Sequence, residues 1–114
     1  MKILVVCGAG ASSTFVALRL RRAAQAAGLE YAAFAGTEQS LPIDLDTADV
    51  VLLGPHLAHS LDEVRALAAP RGVAVGVLPD DIFTDLDGAR ALALARAVAD
   101  QGADPASARR RDAP

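Results

Sequence analysis

The sequence is poor in cysteine and in aromatic residues, and it has no excess of basic charge. It has one cysteine, three phenylalanines, one tyrosine and no tryptophan. A single cysteine cannot form an intrachain disulfide, so Cys7 serves either packing or reactivity. So few aromatic rings offer no platform on which nucleobases could stack. A net charge of −3 and a pI near 5.2 also argue against nucleic acid as a partner, since the basic run at residues 109–111 is short and terminal.

Long apolar runs are absent as well. No stretch approaches the roughly 18 to 20 apolar residues of a membrane span, and the N-terminal run is shorter than the apolar region of a signal peptide. We therefore expect a cytoplasmic protein that is not embedded in a membrane. With 114 residues, 53% of them hydrophobic, the chain is long enough to bury one core. We predict one domain over residues 1–101 and a disordered tail over residues 102–114, where helical periodicity has ended.

The start of the chain predicts a strand, a tight loop and a helix. Residues 3–6 are apolar and mostly β-branched, and Cys7 follows them directly. Helical spacing of apolar residues runs from about residue 13 to residue 27, and Gly28 marks its end. A loop of this kind directs backbone N–H groups toward one point, where the helix dipole adds roughly half a positive charge, and so forms a cradle for an anion. The cradle consists of small and hydroxyl residues: Gly8, Ala9, Gly10, Ala11, Ser12, Ser13 and Thr14.

Further strands alternate with helices along the rest of the chain. Apolar runs at residues 29–35, 49–54 and 72–78 predict three more strands, and an irregular stretch at residues 37–47 allows one helical turn. This pattern is typical of an α/β fold whose parallel sheet is covered on both faces. Ligands bind such sheets beyond the carboxyl ends of the strands. That edge is expected to hold residues 7–14, 54–59 and 79–87.

Two later helices have recognisable start signals. Ser60 and Glu63 have the spacing of a capping box, which introduces a helix that ends before Pro70. A last helix is predicted over residues 88–101, with Asp87 as its N-cap. The acidic residues of the preceding loop are expected to be solvated: Asp80, Asp81, Asp85 and Asp87.

Cys7 is the natural centre of the ligand-binding edge. Helix N-termini and backbone N–H donors favour the thiolate, which is a strong nucleophile. The same donors would hold the three equatorial oxygens of a phosphoryl group. In the alternative interpretation Cys7 is a small core hydrophobe, and Ser12, Ser13 and Thr14 simply cap the first helix. The small-residue loop directly after Cys7 favours the functional interpretation.

The chain resembles a known family in three stretches. These are residues 2–14 (KILVVCGAGASST), residues 48–55 (ADVVLLGP) and residues 67–75 (LAAPRGVAV). They are similar to the cytoplasmic IIB components of the bacterial phosphoenolpyruvate-dependent sugar phosphotransferase system, in the lactose, cellobiose and diacetylchitobiose group. The resemblance covers residues 2 to about 101, nearly the whole chain that is expected to be ordered.

The resemblance implies both a fold and a function. The fold is an open four-stranded parallel sheet with helices on both faces and strand order 2-1-3-4, as in low-molecular-weight tyrosine phosphatases. In function, Cys7 accepts a phosphoryl group from a phosphohistidine of a IIA protein and passes it to a sugar bound by the membrane IIC permease. The loop from Gly8 to Thr14 would surround the phosphate, and no cofactor or metal ion is implied.

The sequence departs from the family pattern at two places, which become secondary site candidates. Phe83 and Thr84 stand where the family often has a Tyr-Gly pair, and His56 stands where it often has glutamine after Gly-Pro. A protonated His56 near Cys7 would steady the thiolate or the phosphate. His56 and His59 are three residues apart, but the chain has no third histidine, so we predict no metal site.

Three other functions compete with this interpretation. Low-molecular-weight tyrosine phosphatases and arsenate reductases share the strand, cysteine, loop and helix, but the phosphatases need an arginine six positions after the cysteine. Ser13 occupies that position here, and Arg19 lies further along the helix. A non-catalytic regulatory module would have no need for Cys7. A redox sensor would lack a second cysteine to resolve a sulfenic acid.

Overall fold

The computed structural model describes residues 1–7 and 10–102. Its centre is a sheet of four parallel strands in the order β2-β1-β3-β4, which confirms the predicted topology. The first strand therefore lies inside the sheet, with a neighbour on each side. The strands are β1 (Lys2–Val6), β2 (Ala32–Gly36), β3 (Val50–Leu53) and β4 (Ala74–Val77).

Helices connect the strands on both faces of the sheet. The α-helices are α1 (Gly10–Ala26), α2 (Leu41–Asp44), α3 (Leu61–Ala68) and α4 (Ala89–Gly102). The short α2 is the single turn that the irregular stretch allowed. Three 3₁₀ helices complete the connections, at Pro55–Ser60, Ala69–Arg71 and Ile82–Thr84.

Successive residues of β1 point to opposite faces and thereby divide the core in two. Ile3, Val5 and Cys7 belong to one buried cluster, which includes residues of α1 and α4. Leu4 and Val6 belong to a second cluster, which includes residues of α2 and α3. All five are at most 1% exposed, as expected for a strand inside a parallel sheet. The period of two therefore places the Cys7 side chain on the face covered by α1 and α4.

The second strand begins at Ala32, three residues later than the apolar pattern predicted. The reason lies at the end of α1, where Gly28 adopts a left-handed backbone conformation with φ +73°. Gly28 N–H donates to the Gln25 carbonyl at 3.1 Å, and Leu29 N–H donates to the Ala24 carbonyl at 2.8 Å. This pair of bonds is a Schellman motif, so Leu29 belongs to the helix stop. Gly28 is confirmed as the end of the helix.

The capping box predicted before α3 is wrong in its chemistry, although the helix begins where expected. Ser60 is the N-cap residue, but its side chain makes no capping hydrogen bond. An N-cap residue normally has extended backbone angles, from which its hydroxyl reaches the N–H groups of the first turn. Ser60 instead ends the 3₁₀ helix Pro55–Ser60 with φ −95° and ψ 3°, so the chain enters α3 already coiled.

The start of α4 is capped by two carboxylates, of which the sequence indicated one. Asp87 Oδ1 accepts the Ala89 N–H at 3.0 Å, so Asp87 does cap the helix. Asp85 is buried, not solvated as predicted, and its two carboxylate oxygens accept the N–H groups of Arg90 and Ala91 at 3.2 and 3.0 Å. These bonds satisfy helix donors that would otherwise be buried without partners, which explains why a carboxylate is stable there.

The last helix extends to Gly102, one residue into the stretch predicted as a tail. The remainder of that stretch, residues 103–114, lies outside the described part of the chain, and its disorder stays a prediction.

Within residues 1–7 and 10–102, no helix is long and apolar enough to cross a membrane.

Candidate functional site

The carboxyl ends of the two central strands meet beside Cys7. Val6 and Leu53 are paired across β1 and β3, so the residues that follow them, Cys7 and Gly54, lie level at the edge of the sheet. The Gly54 N–H donates to the Val6 carbonyl at 2.7 Å, which extends the ladder to this point. On the other side of β3, the Leu78 N–H donates to the Leu53 carbonyl at 2.8 Å. The predicted gathering of segments at this edge is therefore present.

Cys7 is almost completely buried, with 1% of its surface exposed. It belongs to the same apolar cluster as Val16 and Leu20 of α1 and as Leu78 and Ile82, which follow β4. A thiol in such surroundings is shielded from bulk water. Burial alone disfavours a thiolate, and a nucleophilic Cys7 therefore needs neighbours that stabilise negative charge.

A side chain at Gly54 would crowd the Cys7 sulfur. A Cβ atom built on Gly54 would lie 3.0 Å from Cys7 Sγ and 3.4 Å from Cys7 Cα. The same Cβ would lie 3.1 Å from His56 Cε1, because the Pro55–Ser60 helix turns back over the end of β3. The sequence predicted Gly54 as the end of a strand and placed residues 54–59 at the same edge as Cys7, but it did not predict this close approach to the thiol. The proximity of the thiol and the imidazole follows from the register of β1 and β3, which no local motif encodes.

The predicted anion cradle is largely the first turn of a helix. The structure begins α1 at Gly10, three residues before the predicted start, so Gly10 to Thr14 are helical. Gly8 and Ala9 lie outside the described residues, as do the side chains of Ala11 and Ser12. The N–H groups of a first helical turn have no intrahelical acceptor and point out of the helix end, where anions bind. Most of the residues predicted as a loop therefore form a helix N-terminus that follows Cys7 closely, and their anion-binding role stays a prediction.

The hydroxyl residues of that turn differ in exposure. Ser13 is fully buried at 0% exposure, whereas Thr14 is exposed. Ser13 also holds the position at which the phosphatases carry their phosphate-binding arginine. A buried serine supplies no positive charge there, so the turn differs electrostatically from a phosphatase loop.

The loop after β4 contributes an ion pair to this edge. The Arg90 guanidinium donates to Asp81 Oδ1 at 2.8 Å, and this bond holds the pKa of the Asp81 carboxyl below its usual value. Both side chains are exposed, so the pair contributes little to stability. Phe83, the secondary candidate, lies in the 3₁₀ helix Ile82–Thr84, and its side chain is outside the described part.

The second histidine does not join a metal-binding cluster. His56 and His59 both lie on the 3₁₀ helix Pro55–Ser60 and both are exposed. Over residues 1–7 and 10–102, no three side chains of the types His, Cys, Asp or Glu come together as a metal site requires.

A small apolar cleft, which no sequence pattern predicts, lies on the other face of the same edge. Its volume is about 130 Å³, and its walls come from the ends of β1 and β3, from α2 and from α3. Glu38 and Glu63 give its rim a negative charge. The lining combines residues that are far apart in the chain, such as Val6, Pro42 and Leu67, so only the tertiary structure reveals it.

The sheet is open and parallel with strand order 2-1-3-4, and a cysteine lies between the first strand and the N-terminus of the first helix. This arrangement is that of the Rossmann-like class, which includes the low-molecular-weight phosphatases. Within this class the sequence decides the family. The family model described as "PTS system, Lactose/Cellobiose specific IIB subunit" matches residues 2–94, so the chain belongs to this family of the sugar phosphotransferase system. The resemblance seen in the three sequence stretches is confirmed.

Individual relatives agree with this assignment. The chain is 28% identical over 90 residues to the oligo-β-mannoside-specific EIIB component of the phosphotransferase system of Bacillus subtilis (strain 168), covering 79% of this chain and 87% of the relative. Its fold is similar to the lactose-specific IIB component domain from Streptococcus pneumoniae, with a TM-score of 0.78 at 18% identity, over 86% of this chain and 96% of that one. The cellobiose-specific IIB component from Borrelia burgdorferi has a TM-score of 0.70 at 26% identity, over 90% and 94%.

Proposed function

We propose that this IIB component is a phosphocarrier in which Cys7 holds the phosphoryl group. The donor is a phosphohistidine of a IIA protein, and the final acceptor is a sugar bound by a membrane IIC permease. The observation that supports the proposal best is the place of Cys7, a nearly buried thiol at the end of β1 and close to the N-terminus of α1. We also propose that the protein acts in the cytoplasm, where such donors are found.

The first transfer forms a sulfur–phosphorus bond. The Cys7 sulfur attacks phosphorus, the N–P bond of the donor breaks, and its electron pair returns to the imidazole nitrogen of the donor, which takes up a proton. The phosphoryl oxygens carry negative charge throughout, and the N–H groups at the start of α1 would stabilise them. Phosphoryl transfer depends chiefly on such positioning and charge stabilisation.

In the second transfer the Cys7 sulfur is the leaving group instead of the nucleophile. A sugar hydroxyl attacks phosphorus, the S–P bond breaks, and its electron pair returns to Cys7 while the hydroxyl proton is released. The alternative outcome is attack by water, which would waste the phosphoryl group. Two features oppose hydrolysis, namely the burial of Cys7 and the presence of Ser13 where a phosphatase carries arginine. These features favour a carrier over a phosphatase.

Reconstituted phosphorylation tests the proposal. The chain is incubated with phosphoenolpyruvate, the general phosphotransfer proteins and candidate IIA partners, and its intact mass is measured. We expect the mass to increase by one phosphoryl group, and only when a IIA protein is present. If instead no partner transfers phosphate and the chain hydrolyses an aryl phosphate through Cys7, the phosphatase alternative is correct.

A further inference from the structure

His56 lies beside the proposed nucleophile in a way that the family pattern does not account for. Its Cε1 atom and the Cys7 sulfur lie 3.1 and 3.0 Å from the point where a Gly54 side chain would begin. The missing side chain of Gly54 thus leaves the imidazole and the thiol facing one shared space. Cε1 is bonded to both ring nitrogens, so each nitrogen lies one bond away from an atom that is 3.1 Å from this point.

The two side chains differ in their access to water. Cys7 is 1% exposed, whereas His56 lies on the surface in the 3₁₀ helix Pro55–Ser60. A buried thiol has no direct contact with water, so its proton needs a path through a neighbouring group. Imidazole is the one side chain whose ordinary pKa lets it accept and release a proton near neutral pH. His56 therefore has the chemistry and the location of such a path.

Several other ionisable groups near this edge of the sheet have contacts of their own. Asp81 binds Arg90, and Asp85 accepts N–H groups of α4. Glu38 and Glu63 line the cleft on the opposite face, where Val6 rather than Cys7 contributes. Further ionisable side chains of the neighbouring segments include Arg19 on α1, His59 on the 3₁₀ helix Pro55–Ser60, Asp62 at the start of α3, and Asp80 after β4.

We propose that His56 is the proton carrier of Cys7, an inference that rests on the proposed phosphocarrier function. In the first transfer, the His56 imidazole takes the proton of the thiol as the S–P bond forms, and the donor N–P bond breaks as described above. In the second transfer, the imidazolium stabilises the thiolate that leaves when the sugar oxygen takes the phosphoryl group, and returns the proton to it. His56 would thus replace a permanently uncharged glutamine with a group that can carry charge.

Thiol reactivity of the isolated chain tests the inference without any partner. Cys7 is the only cysteine, so alkylation by iodoacetamide and the ultraviolet absorbance of the thiolate report on this residue alone. In a His56→Gln variant we expect alkylation near neutral pH to slow about tenfold, the equivalent of one pK unit, and the thiolate absorbance to fall. Imidazole added to the buffer is expected to restore part of the rate, which a purely structural role of His56 would not allow.

His59→Gln is the matched control, because His59 is exposed on the same 3₁₀ helix. It is expected to react like the wild type. Equal alkylation rates and equal thiolate absorbance in wild type and His56→Gln would overturn the inference while leaving the phosphocarrier function intact. A different result would contradict the proposed function. If the chain accepts no phosphoryl group from any IIA protein, the phosphocarrier function is wrong, whatever the alkylation rates are.

Discussion

A Cys7→Ser variant is expected to accept no detectable phosphoryl group under conditions in which the wild type is fully phosphorylated. A serine hydroxyl is far less acidic than a thiol, so its oxygen stays protonated near neutral pH and is a much weaker nucleophile. The substitution keeps the size of the side chain nearly constant, so the core cluster that contains Cys7 should remain packed. The measurement is intact mass after incubation with phosphoenolpyruvate and the phosphotransfer proteins.

Loss of folding must be separated from loss of chemistry in this experiment. Thermal unfolding of Cys7→Ser should be cooperative and close to that of the wild type. The His59→Gln variant, which leaves the proposed site intact, should be phosphorylated normally. A folded Cys7→Ser variant that still gains one phosphoryl group would mean that another residue is the acceptor.

A Gly88→Ala variant is expected to lower the free energy of unfolding by about 2–5 kcal/mol, from the cost of a left-handed alanine together with overpacking. Gly88 has φ +75°, and a Cβ there would collide with the carbonyl oxygen of Arg19 and lie 2.9 Å from the Leu20 nitrogen. Both are backbone atoms of α1, which cannot move away as a side chain can. Gly88 immediately precedes α4, so the substitution would force apart the two helices that cover Cys7.

Gly28→Ala is the matched control for Gly88→Ala, because it changes a left-handed glycine that makes no close contact with another helix. Gly28 has nearly the same backbone conformation, with φ +73°, but a Cβ there would meet no atom within 4 Å. Its cost should be confined to the conformation itself, about 1–2 kcal/mol. Urea unfolding of the two variants separates the clash from the conformational cost. Equal destabilisation would show that α1 and α4 are not in close contact at Gly88.

The sequence predicted the sheet better than it predicted the ends of the helices. Strand runs such as 50–53 are apolar throughout, which is typical of strands buried on both faces, and the structure confirms them. The predicted start of α1 is three residues too late because Gly10, Ser12 and Ser13 are residues typical of loops and helix caps. One glycine at a helix start costs at most about 1 kcal/mol, which the packing of Val16, Ala17 and Leu20 readily outweighs.

The neighbours of Cys7 could not be predicted from local patterns. A Cβ on Gly54 would lie 3.0 Å from the sulfur because β1 and β3 pair in a register that sets Val6 beside Leu53. Asp85 is buried because the loop after Ile82 carries it beneath the first turn of α4, whereas its sequence context is that of a solvated acidic loop. Both facts depend on the tertiary fold, whereas the proposal of Cys7 as the nucleophile rests on the single cysteine and the loop that follows it in the sequence.

Identifying the residue that carries the phosphoryl group tests the phosphocarrier proposal most directly. Trypsin cleaves after lysine and arginine, so it releases residues 3–19 with Cys7 and without histidine, while His56 and His59 both fall within residues 23–65. Tandem mass spectrometry of the phosphorylated wild-type chain, with digestion kept short to preserve the labile bond, assigns the site. We predict the phosphoryl group on residues 3–19, bound to Cys7. A phosphoryl group on residues 23–65 would contradict the proposal, because a histidine would then be the carrier.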